Sequence, residues 1–117
     1  MSYIDGFVIP VPKDKKGAYR EMASEAQPLF MEYGALRIVE CWGDDVPQGK
    51  VTSFPMAVKA KDDETVVFSF ITWPSRKVRD EGMKKVMADP RVQPDKNPMP
   101  FDGKRLIYGG FQTLVDA

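Results

Sequence analysis

Two carboxylates stand inside otherwise apolar, strand-like segments: Asp5 in YIDGFVIPVP and Glu40 in LRIVECW. A carboxylate held on a water-excluded sheet face has its pKa raised by desolvation. It can then take a proton from an activated carbon acid or a phenol. On that reading Asp5 and Glu40 are catalytic bases. The alternative is structural: each pairs with an arginine such as Arg37 or Arg105, or ties down backbone at a strand end, and Gly6 marks a bulge after Asp5. Trp42, Trp73 and Tyr108 are the aromatics suited to line a pocket for a flat organic substrate, with the Tyr108 hydroxyl as a donor to a substrate oxygen. Their plainer role is core or interface. Arg105, in the run Asp102-Gly103-Lys104-Arg105, is a candidate substrate-binding cation or else one half of a charge pair in a turn.

The chemistry open to these residues is narrowed by what the chain lacks. It has no histidine, so a Ser-His-Asp triad, a Cys-His dyad and every histidine metal or haem site are excluded. Cys41 is the single cysteine; with no histidine to activate it and a tryptophan beside it, it reads as a small buried hydrophobe. The acidic runs Asp44-Asp45 and Asp62-Asp63-Glu64 lack the spaced oxygen ligands and glycine of a calcium loop. The stretches IDGF, WGDD and YGGF match no phosphate-cradling motif. Neither a metal nor a cofactor is expected.

With 117 residues, 43% of them apolar and 29% charged, the chain fits one domain, residues 1–117, with a real core. Lys plus Arg and Asp plus Glu are balanced at 17 each, which argues against nucleic acid as the main partner. No apolar run is long enough to span a bilayer, and the start lacks the basic and apolar regions of a signal peptide. The expected setting is the cytoplasm, where one cysteine stays reduced.

Six elements must position the candidate residues. Tyr3 to Val11 reads as a strand. Over Lys13 to Tyr33 the period changes: Tyr19, Met22, Ala26, Leu29 and Tyr33 recur at helical spacing. Asp14 is the expected N-cap, Pro28 an expected kink or lost hydrogen bond, and Gly34 the stop. Ala35 to Gly43 is a second strand, with Leu36, Ile38, Glu40 and Trp42 on one face and Arg37, Val39 and Cys41 on the other. A long connection follows, with a short helix within Ser53 to Ala60. Thr65 to Trp73 is the strongest strand, with Val66, Phe68 and Phe70 opposed to Val67, Ser69, Ile71 and Trp73. Ser75 caps a second long helix that stops before Pro90. Pro90 to Pro100, with four prolines, is an irregular loop or lid. Lys104 to Val115 is the last strand, where Gly109 and Gly110 mark a bulge or a close backbone approach.

The order β-α-β-β-α-β specifies an α+β, ferredoxin-like fold: a four-stranded antiparallel sheet with two helices on one face. The other face is left bare. It is expected to carry Tyr3, Asp5, Phe7, Glu40, Trp42 and Trp73, an apolar patch that needs a cover. A second copy of the same sheet is the economical one, giving a two-fold homodimer with a barrel-like interior.

Four segments, VECWGDDVPQGKVTSF (Val39 to Phe54), ETVVFSFITWPS (Glu64 to Ser75), KVMADPR (Lys85 to Arg91) and MPFDGKRLIYGGF (Met99 to Phe111), occur in this order. Together with YIDGFVIPVP they resemble DUF1428, a family of small bacterial proteins of unknown function, nearly end to end. The resemblance implies a dimeric α/β barrel, the plan of antibiotic-biosynthesis monooxygenases and chlorite-dismutase-like proteins. It implies no particular reaction, because that plan hosts monooxygenases, isomerases, haem proteins and simple binders. The functional expectation is therefore binding of a small aromatic or quinone-like metabolite in the barrel, with cofactor-independent isomerase or monooxygenase chemistry as an option. The alternatives are a non-catalytic accessory homodimer and an RNA-associated protein.

Overall fold

Alternating residues dictate four strands, and their pairing fixes the frame for every candidate residue. In the computed structural model, which describes residues 2–92 and 99–117, these are β1 (Tyr3–Pro12), β2 (Arg37–Trp42), β3 (Glu64–Trp73) and β4 (Ile107–Gln112). All neighbours are antiparallel in the order β2-β3-β1-β4. Pairing of β1 with β3 runs without a slip from Tyr3 opposite Trp73 to Pro12 opposite Glu64, so Gly6 forms no bulge. The fold is α+β and ferredoxin-like, as the element order specified.

Helices α1 (Lys16–Glu32) and α3 (Arg76–Ala88) cover one face, and α2 (Phe54–Ala57) lies in the β2–β3 connection. Both short side-chain caps are serines: Ser53 accepts from the Met56 N–H at 3.1 Å and Ser75 from the Val78 N–H at 3.2 Å. Asp14 does not cap α1. It falls in a 3-10 turn, Lys13–Lys15, and the cap position is Lys15, with no side-chain bond. Pro28 lies inside α1, which continues to Glu32; it has no N–H to give the Ser24 carbonyl. Gly34, at φ 110°, turns the chain back toward β2.

The core lies between sheet and helices. Tyr3, Ala35, Ile71 and Trp73 form one cluster, and Ile9, Val11, Tyr19 and Val67 another. Gly82 sets the depth of α3: a Cβ there would stand 2.6 Å from the Trp73 ring and 2.6 Å from the Tyr33 carbonyl oxygen. Only a hydrogen fits, and Trp73 is fully buried beneath it.

This packing corrects one expectation. The residues grouped together by alternation do share a face, but Tyr3, Asp5, Phe7, Glu40, Trp42 and Trp73 face the helices. The bare face carries the other set: Ile4, Val8, Phe68, Phe70, Ile107 and Phe111, with Val39 and Cys41 beside them. Both sets are apolar, so hydrophobicity divides the two faces without saying which one the helices cover. The expectation of a buried Cys41 fails for the same reason: it is exposed, opposite Phe68 on the uncovered side of an edge strand.

The last strand is shorter than expected, because Lys104 and Arg105 lie in the turn before it. Gly109 and Gly110 pair in register with Gly6 and Asp5, so they are not a bulge. Gly110 does serve a close approach: a Cβ there would collide with the Tyr3 hydroxyl and the Arg79 guanidinium. The proline-rich loop begins as a 3-10 turn, Pro90–Val92, and its centre, 93–98, lies outside the described residues.

Candidate functional site

On the helix side, a groove of about 240 Å³ runs between α1 and the edge strand β2. One wall comes from α1 residues 16, 20, 23, 24 and 27, a stripe that helical spacing places on a single face. The other comes from Ile38, Glu40 and Trp42, which strand alternation turns to the same side. Tyr19 forms the inner end. It is buried among Ile9, Val11 and Val67, and its ring packs at 5.9 Å on Phe101.

The Tyr19 hydroxyl donates to Glu40 Oε1 at 2.7 Å. Burial, followed by the charge and the hydrogen bond of Glu40, pushes the Tyr19 pKa far above that of a free phenol. The phenol therefore keeps its proton and acts as a fixed donor. Glu40 is left with its second oxygen free of any described protein partner, in an exposed residue at the groove floor. At the rim, the Lys16 ammonium sits 5.6 Å from the centre of the Trp42 ring. The assembly offers an oriented carboxylate, an aromatic wall and cations at one edge.

Of the residues singled out from the sequence, Glu40 and Trp42 meet in this groove, and the others stand elsewhere. Asp5 is a buried staple. Its Oδ2 accepts from Trp73 Nε1 at 2.9 Å, and its Oδ1 stands 3.5 Å from Arg79 Nε. The Arg79 Nη2 donates in turn to the Tyr3 hydroxyl at 3.0 Å, with the guanidinium 4.9 Å from the Tyr3 ring centre. Burial raises the Asp5 pKa, and the opposing pull of Arg79 and the Trp73 hydrogen bond does not cancel it. Asp5 and Glu40 lie two strands apart, opposite Ile71 and Ser69, a separation on the order of 10 Å. They do not form a carboxylate pair.

Arg105 is a clamp. It donates to both oxygens of Glu64 at 2.7 and 2.8 Å, to the Lys59 carbonyl at 2.8 Å and to Asp102 at 2.9 Å. These bonds hold the turn before β4 against the start of β3 and pull the Glu64 carboxyl below its usual range. Tyr108, 75% exposed, stacks on Phe7 at 6.2 Å, so the three predicted pocket aromatics do not converge. Among the described residues no three acidic, cysteine or histidine side chains gather as a metal site, and no helix is long and apolar enough to cross a membrane.

Tyr19, Lys16 and Arg20 were not singled out from the sequence. Tyr19 read as one apolar position in the α1 stripe. The available signal was that the stripe carries a phenol one turn after Lys16 and directly before Arg20. Arg79, the partner of Asp5, lay hidden among the charges of α3.

The uncovered sheet face is different in kind. It forms an apolar trough of about 600 Å³ lined by Ile4, Val8, Phe68, Phe70, Ile107 and Phe111. Gly6 and Gly109 pair across its floor, where added Cβ atoms would sit 3.5 and 3.6 Å from the Phe111 ring. Those distances are ordinary van der Waals contacts, so the Phe111 ring packs over this glycine pair without either position requiring glycine. Phe68 and Phe111 remain 47% and 60% exposed.

Comparison with known proteins places these features in context. Residues 2–103 match the family model DUF1428, described as a protein of unknown function. The uncharacterised protein YbaA of Escherichia coli K12 is 63% identical over 116 residues, covering 99% of both chains. YbaA of Shigella flexneri matches to the same extent. Among solved structures, a dimeric ferredoxin-like protein from an uncultured marine organism aligns with a TM-score of 0.59 at 8% identity, over 98% of this chain and 96% of that one. Rv0793 of Mycobacterium tuberculosis aligns with a TM-score of 0.52 at 16% identity, over 100% and 99%.

Proposed function

The chain belongs to the DUF1428 family, and from that premise we propose that it is a small-molecule-binding protein that works as a homodimer. The observation that carries the reading is the Tyr19–Glu40 hydrogen bond, 2.7 Å long, at the inner end of a groove open to solvent. A buried phenol fixes one carboxylate oxygen and leaves the other for a ligand, an arrangement that core packing alone does not require. Beside it Trp42 offers a face for a flat, aromatic or quinone-like molecule. The ligand site is thus on the helix side of the sheet rather than in a barrel interior. Where the bound molecule is an acidic carbon or phenol, Glu40 is the base that faces it; Asp5, tied to Trp73 and Arg79, has no such access.

Dimerisation is supported by the uncovered face, whose exposed Phe68, Ile107 and Phe111 form an apolar surface of the kind that a second sheet covers. The dimeric state of the marine structural relative fits this reading. The exposed Cys41 would remain reduced in a cytoplasmic setting.

The test is titration of isotope-labelled protein with 2-naphthol, followed by NMR. Shifts at Tyr19, Glu40 and the Trp42 indole N–H, abolished in Trp42→Ala, are the expected result. Shifts confined to the uncovered face, or none with 2-naphthol and with naphthyl probes of either charge, would refute ligand binding at the groove. Light scattering should give a dimer that Phe68→Lys converts to monomer. A dimer that takes no ligand would be the accessory protein of the alternative reading.

A further inference from the structure

Resting on that reading of the groove, we propose that its ligand is a small organic anion, a flat apolar body bearing a carboxylate or similar group that Lys16 and Arg20 hold. The charges in the groove are unequal. Lys16 and Arg20 stand one helical turn apart, about 6 Å along α1, and both line it. Against them stands Glu40, one oxygen of which already accepts the Tyr19 hydroxyl.

The two cations are also unclaimed. Among the described residues Arg76, Arg79, Arg91 and Arg105 each hold a carboxylate, whereas Arg20 and Lys16, like Arg37 and the other lysines outside the groove, hold none. Lys16 instead rests against the Trp42 ring, a contact that a ligand ring can replace while the ammonium turns to the ligand's charge. Arginine suits a planar carboxylate because its donors form a matching fork.

The arrangement also sets the orientation. The flat body lies along Trp42, Ile38 and Ala23, and its anionic end faces the rim. A hydroxyl or acidic C–H on the opposite edge faces the free oxygen of Glu40. A cationic ligand would meet Lys16 and Arg20 at the entrance, and a wholly neutral one would leave both cations unused.

Three probes of one shape separate the possibilities: 2-naphthoate, 2-naphthol and 2-naphthylmethylamine, titrated into the full chain and located by NMR. The expected order of affinity at the groove is naphthoate, naphthol, amine. Lys16→Gln with Arg20→Gln should weaken naphthoate about tenfold and leave naphthol nearly unchanged. Added salt should reproduce that selective loss. Both substitutions are on the surface, and the spectrum of the free variant reports its fold. Naphthol or amine binding at the groove as tightly as naphthoate would overturn the anion preference and leave the groove standing. So would naphthoate binding that the double variant and salt leave unchanged. Failure of all three to shift groove residues would overturn both readings.

Discussion

Replacing Asp5 by alanine and by asparagine distinguishes a staple from a catalytic base. In the fold, Asp5 accepts the Trp73 indole N–H at 2.9 Å, and Trp73 is fully buried. Alanine removes the acceptor and leaves the buried indole N–H without its protein partner. It also leaves Arg79, whose side chain is 23% exposed, beside an empty position where its carboxylate stood. An unsatisfied buried N–H costs about 1 to 3 kcal/mol, and loss of a partner from a largely buried ion pair adds to it. The partial exposure of Arg79 keeps the sum near 3 kcal/mol. Asparagine keeps an acceptor for the indole and removes the charge. It spares the unsatisfied N–H and loses only the ion pair with Arg79, which is long at 3.5 Å and partly exposed, so the cost should be about 1 kcal/mol. Urea unfolding at fixed protein concentration, followed by tryptophan fluorescence, measures both variants. Alanine should lower the midpoint by about 2 M, and asparagine by less than half of that. Equal losses for the two variants would refute the hydrogen-bond argument. An alanine variant within about 0.5 kcal/mol of the parent would refute the staple altogether.

Two further outcomes follow from close contacts and charges. Gly82→Ala drives a methyl group against the Trp73 ring and the Tyr33 carbonyl, and the carbonyl cannot move aside as a side-chain tip can. It should cost about 2 kcal/mol or more and lower the melting temperature on the order of 10 °C in a thermal scan. Glu64→Gln tests the Arg105 clamp through pH. The Glu64 pKa lies below its ordinary value of 4.5 because Arg105 donates to the charged form. Its contribution to stability is therefore complete above pH 4.5 and disappears as pH falls through the lower, folded-state value. The variant should be less stable than the parent at neutral pH, with a gap that closes in acid. A gap independent of pH would contradict the ion pair.

Much of the architecture was legible in the sequence because it depends on local periods and caps. The change from alternation in Tyr3–Val11 to helical spacing at Tyr19–Tyr33, the cap at Ser75 and the short helix after Ser53 all express interactions among near neighbours. The Asp14 cap failed because a 3-10 turn intervened before α1. The site was half legible. Glu40 was conspicuous as a charge in an apolar strand. Tyr19, which orients it, was concealed because a phenol also satisfies an apolar position in a helix stripe. Asp5 was conspicuous for the same reason as Glu40, yet its surroundings gave it a different task.

The sequence by itself determined the family, the order of elements and the division of each strand into two sets of residues. Tertiary structure alone decided which set the helices cover. Alternation is symmetric under exchange of faces, and here both sets are apolar enough to be buried: Tyr3, Ile71 and Trp73 on one side, Phe68, Phe70 and Phe111 on the other. The choice rests on contacts between residues distant along the chain, above all Gly82 of α3 closing over Trp73 of β3. That same choice put Glu40 against Tyr19 in an open groove and Asp5 against Trp73 and Arg79 in the core.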